Sequence, residues 1–189
     1  TQPQQFVAQE RTIVEEAYPG DVVGLFDPGI FAIGDSICEP GLDVTFEDFP
    51  VFPPERFAKV QAKATLKRKH FIKGITQLGQ EGAIQIFQQP NAADQGYVIG
   101  VVGQLQFEIL AYRLQYEYGV SIDIQYLPHT AARWLVQDPA DTQPLKYMDE
   151  NLIVRDRFDR PVVLFLGNWQ MNWTIEQNPQ AQFLPAPPR

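Results

Sequence analysis

Seven cations and no acid stand between residues 56 and 80: Arg56, Lys59, Lys63, Lys67, Arg68, Lys69 and Lys73, with His70 among them. The chain is acidic on either side. Residues 1–55 hold eleven acids against Arg11 alone, and residues 81–189 hold twelve against seven bases. The formal net charge of −8 therefore hides one positive block. Cations grouped this way suit a polyanion docked in one orientation, through its phosphates. They also suit a plain solvated helix face, and charge alone leaves both readings open. Under the first, the candidate contacts are Arg56, Lys59, Lys63, Lys69, His70 and Lys73.

Other reactive side chains carry less. Cys38 is the one cysteine, so no internal disulfide forms and the chain reads as cytosolic. It lies beside Glu39 in the acidic block, a poor setting for a thiolate. Two histidines and one cysteine are too few for a zinc centre of nitrogen and sulfur ligands. His129 follows Pro128 in a loop and reads as structural, and Asp156 and Asp159 among Arg155, Arg157 and Arg160 read as a turn with local ion pairs. Asn172-Trp173-Thr174 matches a glycosylation acceptor, a pattern common by chance. The chain has no phosphate loop of the form GxxxxGK[ST], no dinucleotide glycine run after a strand and no GxSxG elbow. No catalytic, cofactor-binding or metal-ligating residue is assigned; the chemistry points to a binding or assembly module. No apolar run reaches the ~18 residues of a membrane span, and no signal peptide opens the chain. Thr1 in place of Met reads as a processing or engineered boundary.

The elements that must position the basic block follow from periodicity. A length of 189 residues, 44% hydrophobic and 20% charged, suits one globular domain or two. In residues 1–48, short strands are expected at 5–9, 12–18, 22–26 and 30–33. They are separated by Ala17-Tyr18-Pro19-Gly20-Asp21 and Asp27-Pro28-Gly29 turns. These are too few to close a barrel, so the segment reads as part of one. An acidic, proline-bearing stretch from 39 to 55 follows, with 49–55 as the linker.

Residues 56–127 read as β-α-β-β-α-β. Ala58, Val60 and Ala62 alternate with Lys59, Gln61 and Lys63. A helix over 64–79 gathers Ala64, Phe71, Ile75 and Leu78 on one face and Lys63, Lys69, His70 and Lys73 on the other, with Leu66 misplaced among the lysines. Ile84 and Ile86 mark a strand, and Tyr97 to Val102, apolar on both faces, a central one. A second helix, about 104–118, has two apolar stripes. One is Leu105, Ile109, Tyr112 and Tyr116, the other Phe107, Leu110, Leu114 and Tyr118, which predicts burial on both sides. One side would lie on the sheet. The other would be roofed by the C-terminal extension through Trp134, Trp169 or Trp173. Gly119 ends that helix, and Val120 to Tyr126 alternates as a strand. In the extension, 128–189, strands are expected at 131–137 and 161–166, helices near 141–150 and 168–177, and a frayed tail at Pro185, Pro187 and Pro188. The fold class is α+β: a partial β-barrel segment, then a sandwich-like β-α-β-β-α-β domain with an α/β extension.

Two stretches carry a resemblance. Glu15-Glu16-Ala17-Tyr18-Pro19-Gly20-Asp21-Val22-Val23-Gly24-Leu25 with Ile33-Gly34-Asp35-Ser36-Ile37 resembles the end of the second domain of the ribosome-associated translational GTPases. Gly103-Gln104-Leu105-Gln106-Phe107-Glu108-Ile109, with Arg113-Leu114 and Glu117-Tyr118-Gly119-Val120, is similar to their third domain. Leu66-Lys67-Arg68-Lys69, Glu81-Gly82-Ala83 and Thr130-Ala131-Ala132-Arg133-Trp134 extend the likeness to the termination branch of that family, over nearly the whole chain. The short extension after Tyr126 separates it from elongation factor G. The resemblance implies a cytoplasmic role in translation termination, in which a GTP- and magnesium-binding protein helps release class 1 release factors from the ribosome. It implies as partners the ribosome, its RNA and protein, the class 1 factors indirectly, and a GTP-binding domain of the same protein. The GTPase motifs themselves are absent from this sequence, so no family catalytic residue carries over. With the resemblance, the basic face reads as a ribosomal RNA contact. The alternatives are a stand-alone RNA-binding module and the equivalent region of an elongation-factor-G-like protein. Against the first, the outward sheet positions Lys59, Gln61, Gln85, Ser121 and Asp123 offer no stacking platform.

Overall fold

The structure, a computed structural model, describes residues 3–7, 10–27, 30–31, 34–46, 52–90, 96–139, 144–148 and 151–187. The chain divides into two compact units, residues 1–47 and 48–189.

In the first unit, β1 (Gln4–Val7) and β2 (Glu10–Ile13) pair antiparallel, and Gln4 also bridges Gly24. The Pro19-Gly20 turn closes as its residues predict. The Asp21 N–H donates to the Tyr18 carbonyl, and the Tyr18 N–H donates to Asp21 Oδ2, both at 2.9 Å. The strand expected at 22–26 is reduced to the single Gly24 bridge. Ile30 and Phe31 are not in a strand, and Ala32 and Ile33 lie outside the described residues. Among the described residues, no further strand lies alongside to supply a ladder.

The second unit opens with β3 (Arg56–Ala62). Ala64 is extended, at φ −108° and ψ 119°, and a 3-10 turn over Thr65–Lys67 leads into α1 (Arg68–Gln80). The helix thus starts four residues later than predicted. Ala64 is exposed rather than part of the buried face, and Leu66 projects into solvent from the 3-10 turn. The first turn of α1 holds Arg68, Lys69 and His70 and no acid, so nothing there favours extending the helix toward its own N-terminus. Then come β4 (Gln85–Gln88), β5 (Tyr97–Val101), α2 (Leu105–Tyr118) and β6 (Ile122–Leu127). Gly119 stops α2 at φ +64°, a left-handed conformation that glycine adopts without a Cβ clash.

The extension supplies β7 (Ala131–Leu135), β8 (Leu152–Asp156), β9 (Pro161–Phe165), α3 (Asn168–Gln177) and β10 (Phe183–Leu184). The helix expected near 141–150 is not found over residues 144–148, where Tyr147 has φ +60°; 140–143, 149 and 150 lie outside the described residues. Strand β8 has no counterpart among the expected elements, because Leu152-Ile153-Val154 is short and runs straight into a charged cluster.

All strands of this unit join one antiparallel sheet in the order β10-β7-β9-β8-β4-β5-β3-β6. The extension attaches edge-on, with Phe87 opposite Asp156 and Gln88 opposite Arg155. Residues directly opposite in a ladder point to the same face, so the alternation continues across the join. On one face Ala58, Val60, Ile99 and Val101 pack under α1 and α2, and Ala131, Val163 and Phe165 pack under Met171 of α3. On the other, Phe57, Phe87 and Val98 share a core with Ala132, Trp134, Val154, Val162 and Leu164. The Phe87 and Trp134 ring centroids are 6.2 Å apart although β9 and β8 lie between their strands, a gap of ~14 Å in a flat sheet. The sheet therefore curls around this second core, and all three helices sit on its outer side. Residues 52–55 are fastened to this unit: Gln85 Nε2 donates to the Phe52 carbonyl at 2.8 Å, and the Glu55 N–H donates to the Val101 carbonyl at 2.9 Å.

Among the described residues, nothing forms the roof predicted for α2. Trp134 is buried in the inner core, while Trp169 and Trp173 stand exposed on α3. An extension that continues the sheet at its edge does not cover a helix lying on its face.

Candidate nucleic-acid interface

Helix α1 turns Phe71, Gly74, Ile75 and Leu78 inward. At 100° per residue, Lys69 and Lys73 then project opposite, with His70 on the flank, and all three are exposed. No carboxylate of the described residues pairs with Lys69 or Lys73. Arg68 and Lys69 in the first turn of α1 oppose the positive end of the helix dipole. This arrangement costs stability, and the charges of Lys69 and Lys73 are available to an anion.

The other candidate contacts are placed elsewhere. Lys63 follows β3 rather than belonging to α1; its N–H donates to the Ser121 carbonyl at 3.0 Å and its ammonium lies 3.7 Å from Asp123. Lys59 is half-buried on the sheet face opposite α1, since its neighbours Ala58 and Val60 point toward the helices. Arg56 stands at the far end of β3 from Lys63, about 20 Å along the strand. The structure thus gathers Lys69, His70 and Lys73 on α1, leaves Lys63 on the connection into that helix beside Asp123, and sets Lys59 on the other sheet face and Arg56 at the far end of β3.

Helix α2 lies beside α1 and packs closely on it. A Cβ on Gly74 would meet Leu114 Cδ2 at 2.6 Å and the Tyr118 ring at 3.0 Å. Arg113 ties the two helices together, pairing with Glu81 just past the end of α1 and with Glu117 on α2 at 2.7 Å. These hydrogen bonds, to Glu117 and then Glu81, raise the Arg113 pKa further, and in return Arg113 holds the Glu117 carboxyl below the ordinary range.

Outside this pair of helices lies the stripe that was expected to be covered. Leu105, Ile109, Tyr112 and Tyr116 are 68, 52, 62 and 73% exposed, whereas Phe107 and Leu114 on the other side are fully buried. The Tyr112 and Tyr116 rings form a pair with centroids 4.4 Å apart. A helix with two opposed apolar stripes over a single sheet face has only one partner to bury against. That count was the available signal.

Known proteins now bear on this architecture. Residues 46–175 match the family described as "Class II release factor RF3, C-terminal domain". The chain belongs to this release factor RF3 family. Residues 1–40 match "Elongation factor G domain 2", which takes in β1, β2 and the Pro19-Gly20 turn. A peptide chain release factor 3 of Symbiobacterium thermophilum is 47% identical over 180 residues, 95% of this chain and 34% of that protein. One from Gloeobacter violaceus is 42% identical over 176 residues, covering 93% and 33%, and one from Listeria welshimeri is 40% identical over 178 residues, covering 94% and 33%. The chain spans about a third of the length of the curated relatives it matches. The RF3 match runs from before β3 through most of α3, so β7, β8 and β9 of the extension, including the strand that joins the sheet edge-on, fall within it.

The remaining singled-out residues of this RF3 domain take structural places. Asp156 organises the β8–β9 turn. Its Oδ1 accepts from the backbone of Phe158 (2.9 Å) and Arg160 (3.0 Å), and its Oδ2 from the Arg160 guanidinium (2.8 Å) and Trp134 Nε1 (3.1 Å). Arg155 pairs with Asp138 and Asp159, and the Arg157 and Arg160 guanidiniums lie 4.6 and 4.7 Å from the Phe158 ring centre. His129 is buried. Cys38 is exposed, with its thiol 3.0 Å from the Leu42 carbonyl. Burial lowers the Arg133 pKa. Among the described residues, no three His, Cys, Asp or Glu side chains come together as metal ligands, and no helix is long and apolar enough to cross a membrane.

Proposed function

We propose that this chain is the ribosome-facing portion of a translation-termination GTPase that promotes release and recycling of class 1 release factors in the cytoplasm. The match to the RF3 C-terminal domain from residue 46 to 175 carries this reading. The nucleotide chemistry, with GTP and magnesium, belongs to a domain of the same protein outside this sequence, which has no phosphate loop. The chain's own contribution is contact and orientation. Lys69 and Lys73 present cations on the outer side of α1, with the His70 ring on the flank, and ribosomal RNA phosphates take the place of the missing acid partners. Arg56, Lys59 and Lys63 serve as outlying contacts along β3. Phosphate contacts position the domain and read no sequence.

Cosedimentation of the chain with ribosomes across a salt series tests this. Lys69→Glu with Lys73→Glu is expected to weaken binding and flatten the salt dependence, by somewhat under one unit of slope for each phosphate no longer neutralised. Unchanged affinity and slope would return this face to plain solvated surface. Calorimetry with GTP and magnesium is expected to show no one-site binding to this chain, and micromolar binding would overturn the division of labour.

A further inference from the structure

The geometry points to an RNA element with an unpaired nucleotide as the ligand of the α1–α2 layer, its base stacked on Tyr112 and Tyr116 beside phosphates held by Lys69 and Lys73. This rests on the reading of α1 as an RNA-contacting face and adds the base to it. Three observations carry it.

First, cations and rings share one surface. Lys69 and Lys73 lie opposite the buried residues of α1, and Tyr112 and Tyr116 lie opposite the buried residues of α2. The helices approach closely where Gly74 meets Leu114 and Tyr118. Lys73 adjoins Gly74, and Tyr116 lies between Leu114 and Tyr118, so the two stand at one level of the layer. Packed helix axes are ~8–10 Å apart, within the span of one nucleotide and its phosphates.

Second, the rings are presented rather than filling a core. Both tyrosines are more than half exposed, and their centroids are 4.4 Å apart at an interplanar angle of 36°. Two adjoining rings make a ledge, extended one turn back by exposed Ile109. Base stacking on aromatic side chains tolerates any base and needs no hydrogen-bond readout. Bases inside a duplex are already stacked and unreachable, so the ring pair selects a bulged or single-stranded nucleotide.

Third, the layer is set in advance. Arg113 locks α1 to α2 through Glu81 and Glu117, so cations and rings keep their spacing before any ligand arrives. The uncompensated cations beside the rings favour a nucleic acid over an apolar peptide, which would leave Lys69 and Lys73 unmatched.

Fluorescence anisotropy of the 189-residue chain with a labelled single-stranded oligoadenylate, and with an RNA duplex of equal length, separates the two contributions. Tyr112→Ala with Tyr116→Ala is expected to weaken single-strand binding about tenfold and to leave the salt slope and duplex binding unchanged. Tyr112→Phe with Tyr116→Phe is expected to keep wild-type affinity, because the rings remain. Lys69→Gln with Lys73→Gln is expected to lower the single-strand salt slope by about 1.4. Circular dichroism confirms that each variant is folded. A silent tyrosine variant, or no binding of the single strand at all, overturns the stacking inference. A silent tyrosine variant with an active lysine variant does so while leaving the phosphate reading intact; a silent lysine variant overturns the phosphate reading itself. Loss of ribosome binding by the tyrosine variant with oligoadenylate binding intact would assign the rings to a protein surface, and also overturns the inference.

Discussion

Phe107, Leu110 and Leu114 line one side of α2, and Leu105, Ile109, Tyr112 and Tyr116 line the other. The two sets are about equally apolar and belong to the same fourteen residues of helix. The first is buried on the sheet with Ala58, Val60, Ile99 and Val101, while the second faces outward, level with the lysines of α1. The difference teaches that an apolar stripe is buried by what stands opposite it, not by its own composition. On the inner side the curled sheet stands opposite. On the outer side the extension could have done so, but its strands instead lengthen the sheet through β8 and β4. The outer stripe is a surface, and large exposed apolar patches on a protein's surface are commonly functional.

The largest test of this contrast is truncation on either side. Leu114→Ala removes a fully buried side chain and is expected to cost about 2–5 kcal/mol in urea unfolding. Ile109→Ala, on the outer stripe, is expected to stay within about 0.5 kcal/mol of the parent. Comparable losses would mean that the outer stripe is covered in solution.

Close approach of the two helices gives the next effect. Gly74→Ala places a methyl group against Leu114 and the Tyr118 ring, both packed in the same core. Overpacking there is expected to cost about 1–3 kcal/mol by thermal or urea unfolding. A neutral Gly74→Ala would show that the layer yields easily, which removes the rigid spacing of cations and rings.

Lys69→Glu sharpens the contrast from the other direction. It replaces a cation in the first turn of α1 by an acid that complements the helix dipole, and is expected to stabilise the fold by about 0.3–1 kcal/mol. The same exchange is expected to weaken ribosome binding. Greater stability with weaker binding would mark Lys69 as kept for contact rather than for the fold. Stability and binding falling together would mark it as structural.

The smallest effect is the pH dependence of the Arg113 tie. Hydrogen bonding from Arg113 depresses the Glu117 pKa in the folded chain below its ordinary 4.5. A depressed carboxylate stabilises the fold above its unfolded pKa, and the contribution is lost as pH falls through the folded value. Thermal unfolding from neutral pH downward is therefore expected to show a slightly steeper acid-side loss in the parent than in Glu117→Gln. The exposure of Glu117 keeps the difference small.

Local pattern alone placed much of the second unit. The alternation around Ala58, Val60 and Ala62, the apolar run at Tyr97–Val101, the helix ended by Gly119 and the helix at 168–177 were legible because each depends on neighbours within a few residues. The absence of a phosphate loop was legible for the same reason. So was the crowding of cations in α1, though not the scatter of Arg56, Lys59 and Lys63 over a strand's two ends and far face. That scatter follows from strand pleat and strand length, once β3 is known to run through Ala62 and α1 to begin only at Arg68. Strand β8 and the edge-on join of the extension were illegible, because ladder pairing between Phe87 and Asp156 joins residues far apart in the chain and leaves no local periodicity. The amino-acid order decided that α2 would be a helix with two apolar faces. Only the tertiary arrangement decided which face was buried, since burial depends on a partner surface that no single segment contains.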